Sequence, residues 1–135
     1  MTGLPNTSPV LRGVPRSNAC LVSAANTARD GSSTIVSLFV AGTNFGSVID
    51  LITIHAQVTT TAGMVRLFVY NGSVYFLFKE IPVDATTGTA SVPEFSAEIA
   101  RSDGLPVLVL PAGYTLFAST HNAESIALIC QGWDF

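Results

Sequence analysis

The sequence predicts an all-β domain, an antiparallel β-sandwich in the jelly-roll arrangement, with an extended N-terminal arm. Three observations carry this expectation. From Ser17 onward, Val, Ile, Thr and aromatic residues recur in short runs, separated by Gly, Pro, Asn and Asp clusters. No window sustains a capped 3.6-residue amphipathic period, so the strands follow one another without helices between them. The 135 residues, 48% of them hydrophobic, make one domain that can bury a core without metal or disulfide staples.

The first sixteen residues differ from the rest. Pro5, Pro9 and Pro15 remove backbone donors and push their neighbours into extended shapes. Arg12 and Arg16 add charge, and Val10, Leu11 and Val14 give the segment something to dock. Residues 1–16 are therefore expected to form an extended arm that contacts a partner, and residues 17–135 the sandwich.

Within the sandwich the candidate strands are 18–24, 34–41, 47–59, 64–70, 73–83, 95–99, 106–110, 114–119 and 125–133. The sharpest local signal is Asn71-Gly72 between MVRLFVY and SVYFLFKEI. Asn-Gly accepts the positive φ angles of a two-residue type I′ hairpin turn. That turn would set Val65, Leu67 and Val69 against Phe78, Phe76 and Val74 on a core face. The opposite face would pair Met64 with Lys79, Arg66 with Leu77, and Phe68 with Tyr75. Aromatic and aliphatic side chains rimmed by two cations have the makeup of a contact surface; the competing reading is a loop or sheet that covers them. The last run, SIALICQGWDF, is apolar on both faces and so needs cover on both sides. Pro111-Ala112-Gly113 and the THNAES segment read as tight turns joining the last three strands into a meander.

Charge limits the function classes. Only 11% of residues are charged and the net charge is -3, with Lys79 the sole lysine. Nine acids against six bases supply no basic face for nucleic acid. No run of about 18 apolar residues predicts a membrane helix. The opening residues lack the pattern of a secretory signal. A surface this poor in charge is expected to be covered in part by copies of the chain or by another protein.

Catalytic patterns are missing. His55-Ala56-Gln57 lacks the second ligand of a cupin-type metal site, and His121 sits in a turn. No nucleophile elbow and no phosphate-binding glycine pattern occurs. Strict alternation places Asp50 and His55 on opposite strand faces. Asp30 and Asp103 suit turns. Cys20 and Cys130 read as buried free thiols. No enzyme activity, metal, cofactor or small-molecule substrate is expected.

Three C-terminal features resemble small structural proteins of tailed bacteriophages: Leu110-Pro-Ala-Gly-Tyr114, Ala118-Ser-Thr-His-Asn-Ala-Glu124 and the terminal Gly132-x-Asp134-Phe135. Arg66-Leu67-Phe68 and Ile81-Pro82-Val83 also fit. The resemblance runs from about Thr53 to the end. It implies a capsid decoration, or cement, protein that trimerises and binds across major capsid subunits on the virion surface, after synthesis in the host cytoplasm. Contact residues expected on this reading are Arg12, Arg16, Arg66, Phe68, Tyr75, Leu77, Lys79, Trp133 and Phe135. The alternatives are a fibre or spike module that binds host carbohydrate, for which a single Trp is little, and a cupin-like enzyme.

Overall fold

A computed structural model describes residues 13–135. Among these residues the chain forms nine strands: β1 (Val14–Val22), β2 (Val36–Val40), β3 (Ser47–Ala56), β4 (Gly63–Tyr70), β5 (Tyr75–Val83), β6 (Ser96–Ala100), β7 (Leu108–Leu110), β8 (Thr115–Thr120) and β9 (Ile126–Asp134). They build two antiparallel sheets. The first runs β1-β9-β3-β6, with the short β7 also on β3; the second runs β2-β8-β4-β5. The protein is an all-β sandwich.

Alternation along each strand selects the core. Ile52, Ile54, Leu128 and Cys130 of the first sheet face Leu38, Val65, Leu67 and Leu116 of the second, all buried. β9 lies between β1 and β3. Its inward face (Ile126, Leu128, Cys130) is buried, but the expected cover on its outward face is not found among the described residues, where Ile129 is 42% exposed and Gln131 is exposed. Cys20 lies opposite Leu128 and Asn18 opposite Cys130, so the two cysteines share the inner face one diagonal step apart. Both are free thiols. Burial pushes Cys20 up to about 11 and Cys130 up to about 12.

Three expectations of local structure are corrected. The first concerns the arm boundary. Val14, Pro15 and Arg16 belong to β1, because β9 extends far enough to pair Val14 with Asp134. β1 is the sheet edge, where the missing donor of Pro15 is tolerated. Residues 1–12 of the expected arm, Arg12 among them, lie outside the described residues.

The second is the hairpin register. Asn71 does not occupy a turn corner. Its side-chain oxygen accepts from the Ser73 and Val74 amides at 2.9 and 2.8 Å, and its own amide donates to the Val74 carbonyl at 3.2 Å. This side-chain turn moves the corner to Gly72-Ser73. Tyr70 then pairs with Tyr75 and Val69 with Phe76. A bulge at Phe78 shifts the register once more and sets Arg66 opposite Glu80. A two-residue turn with both φ angles positive does occur, at Asp103-Gly104 (φ 53° and 76°), closed by hydrogen bonds between Ser102 and Leu105.

The third is the meander. Tyr114 N donates to the Pro111 carbonyl at 3.1 Å, so that turn forms. It carries the chain across to the other sheet, however, since β7 pairs with β3, β8 with β2 and β4, and β9 with β1 and β3. A central place in the first sheet pairs both backbone edges of β9, one with β1 and the other with β3.

Candidate interaction surface

The outward face of the second sheet carries four of the nine expected contact residues, Arg66, Phe68, Tyr75 and Leu77, and the chain itself covers much of it. Residues 23–35 cross it. Asn26 N donates to the Thr120 carbonyl at 2.9 Å. The Asn26 side chain ties the segment together, donating to the carbonyls of Ser32 (3.0 Å) and Thr34 (2.7 Å) and accepting from the Ala28 amide (2.9 Å). Gly31 rests on the Tyr75 ring, where an added Cβ would collide with the side chain.

Beneath this segment Arg66 is 2% exposed and Phe68 is fully buried. Arg66 Nε donates to Glu80 Oε2 at 2.9 Å, and its Nη1 donates to His121 Nδ1 at 3.3 Å and to the Asn26 carbonyl at 3.4 Å. Glu80 also receives Arg29 Nε at 2.8 Å. The Arg29 hydrogen bond, then that of Arg66, holds the Glu80 carboxyl below its ordinary value. Tyr75 stacks on Tyr70 with centroids 4.3 Å apart, and Phe117 meets its ring edge-on at 5.5 Å. Arg66 and Phe68 are therefore internal to the fold, and Tyr75 is half-buried. The reason is the 23–35 segment, whose small polar residues show no apolar period by which a sequence reading could place it. Leu77 remains exposed on this face; Lys79 is exposed too, but the bulge sets it opposite Leu67 and not Met64, so it leaves the outward face. Phe76, expected in the core, is 52% exposed because its pairing with Val69 carries it toward the hairpin tip.

Four exposed apolar side chains, Phe45, Val14, Val40 and Phe135, lie on elements joined at the end where the described chain starts and stops. Arg16 Nη1 donates to Asp134 Oδ1 at 3.0 Å and to the Val40 carbonyl at 2.6 Å, while its guanidinium lies 4.2 Å from the Phe39 ring centroid. Ser47 Oγ donates to the same Asp134 oxygen at 2.6 Å and accepts from the Gly42 amide at 2.8 Å. Phe135 N donates to the Gly46 carbonyl at 3.1 Å. This network fixes β1, the end of β2, the 41–46 loop and the C-terminus to one another. Arg16 is thus an internal clamp. Around it stand Phe45 at 76% exposure, Val14 at 62%, and the half-exposed Val40 and Phe135. Phe135 is the one expected contact residue in this cluster. Phe45 was missed; its one signal is a bulky aromatic within the Gly-Thr-Asn-Phe-Gly segment with no periodic partner.

Trp133 lies on the outward face of the first sheet. Its Nε1 donates to Asp50 Oδ2 at 3.0 Å, and Asp50 Oδ1 accepts from Arg101 Nη1 at 2.8 Å. A bulge between Ile49 and Leu51 turns Asp50 to this face. His55 is on the same face, so strict alternation fails between them, but they sit at different rows of the sheet. Among the described residues no three His, Cys, Asp or Glu side chains form a metal-binding group. The chain matches no protein-family model, no curated protein and no solved structure.

Proposed function

We propose that this chain is a non-enzymatic structural subunit that trimerises through its apolar end and, as a decoration protein, binds across the capsid subunits of a tailed phage. The observation that carries this reading is the cluster of Val14, Val40, Phe45 and Phe135 around a rigid Arg16–Asp134–Ser47 network. Soluble monomers rarely keep such side chains together in water. The low overall charge supports the same reading. Further copies of the chain are the occupants of this end: a closed three-fold ring joins two different patches of neighbouring copies, and side chains here are apolar and carry little charge to repel a neighbour.

The strand order supports the jelly-roll reading. With the short β7 set aside, the orders β1-β9-β3-β6 and β2-β8-β4-β5 are those that arise when a long antiparallel hairpin rolls into two Greek keys. The likeness of the C-terminal third to phage structural proteins supplies the capsid partner. Mechanistically, a trimer that touches several capsid subunits binds only the assembled shell and so shifts the assembly equilibrium toward it. Co-sedimentation with purified phage heads tests the reading. The intact chain should pellet with heads, and Phe45→Asp should stay in the supernatant. Equal recovery of both with heads, or of neither, contradicts it.

A further inference from the structure

We infer that the tip of the β4–β5 hairpin is a self-modification site, where Asn71 and Gly72 close to a succinimide and reopen as an aspartyl or isoaspartyl linkage. The Gly72 backbone nitrogen attacks Asn71 Cγ. Its proton passes to water, and the Cγ–Nδ2 bond breaks to release ammonia. Water then opens the ring. Cleavage of the new Cγ–N bond leaves an ordinary backbone with a side-chain carboxylate. Cleavage of the old backbone C–N bond routes the chain through Cγ and leaves the isoaspartyl form. Nothing is oxidised or reduced, and water is the one co-reactant.

The geometry of the tip favours the first step. Asn71 Oδ1, which becomes the oxyanion of the tetrahedral intermediate, already accepts from the Ser73 and Val74 amides at 2.9 and 2.8 Å. Paired backbone donors at such distances stabilise a developing oxyanion. The reacting atoms belong to adjacent residues, so ring closure needs no second molecule. Gly72 brings no side chain to the attack, and a Cβ placed there would meet nothing within 4 Å. Among the described residues no group accepts from the Gly72 amide or from Asn71 Nδ2, so neither the departing proton nor the leaving group is held. Asn71 is also the one asparagine of the chain followed by glycine. By contrast, Asn122 Nδ2 donates to Thr61 Oγ1 and to the Ala62 carbonyl, and the Asn26 side-chain amide donates to Ser32 and Thr34.

Each event adds one negative charge to a chain of net charge -3. The isoaspartyl form also lengthens the backbone next to the Tyr70–Tyr75 stack, at a tip that carries the half-exposed Val74 and Phe76. The modification is thus an irreversible mark of age that loosens this end of the second sheet. Neither trimerisation nor capsid binding is assumed, so this inference stands or falls separately from the proposed function.

The full chain and the synthetic peptide VYNGSVYF, which has residues 69–76 without the folded turn, are held in the same neutral buffer. Peptide mapping by mass spectrometry, with fragmentation that separates aspartyl from isoaspartyl, follows each asparagine. The folded chain should convert Asn71 before any other asparagine and about tenfold faster than the peptide, a modest share of what oxyanion donors give in a site closed to water. Gly72→Ala, which crowds the nucleophile, should lose the modification over the same period. The inference is overturned if the folded chain reacts no faster than the peptide, if another asparagine reacts first, or if Gly72→Ala converts like the parent chain.

Discussion

Burial decides the roles of single residues, and β4 and β5 show how far they depart from simple alternation. Phe68 is fully buried beneath the 23–35 segment, while Phe76 is half-exposed. Phe68→Ala should therefore cost roughly 3–5 kcal/mol, the usual loss for a buried aromatic. Phe76→Ala should cost no more than about 0.5 kcal/mol, as at an ordinary surface site. Urea unfolding of the two variants checks the order; equal losses would mean that the register is wrong. Sequence reasoning assigned these two residues the other way round. The Asn-Gly pair was a true turn signal, but it could not reveal that the Asn71 side chain would cap the loop and move the corner by one residue. The thiols give a second residue-scale outcome. With Cys20 pushed up to about 11 and Cys130 to about 12, both stay protonated at neutral pH. Ellman's reagent should label neither in the folded chain and both in guanidinium; prompt labelling of the native protein would show that the β1–β9 pairing opens readily.

At the scale of elements, all nine strands were legible, because each is a short apolar run between turn residues. Their partners were less so. Nothing local in Leu108–Leu110 or Thr115–Thr120 tells whether a turn leads back to the same sheet or across to the other. The 23–35 segment was illegible for a different reason: its anchors are hydrogen bonds from Asn26 and the ion pair of Arg29 with Glu80, which leave no periodic trace. Asn26→Ala removes three of those hydrogen bonds and should loosen the segment while the strands hold. Amide exchange should speed up across residues 27–34 and over Arg66 and Phe68, with β3 and β9 unchanged; uniform acceleration would contradict a local role. Acid should act on the same place. Glu80 is held below its ordinary value near 4.5, so the folded state binds fewer protons there than the unfolded chain does. Its contribution is complete above that value and is lost as pH falls through the lowered one. Glu80→Gln should consequently flatten the decline of stability below pH 4.5; an unchanged acid limb would remove Glu80 from the account.

For the whole molecule, the sandwich and the low charge were readable from composition, since 48% hydrophobic residues must be buried somewhere and 11% charged residues leave the surface bland. Where exposed apolar side chains come together was not readable. Only Phe135 of the expected contacts joins the exposed cluster, because Val14, Val40 and Phe45 come together through strand pairing and the Asp134 network. Self-association through that end is the claim on which the functional reading turns, and light scattering of the purified chain after size exclusion tests it most directly. The account predicts a mass three times the 14.1 kDa of one chain, falling to that of one chain for Phe45→Asp with an unchanged β spectrum. A parent chain that elutes at 14.1 kDa over the whole concentration range would contradict it.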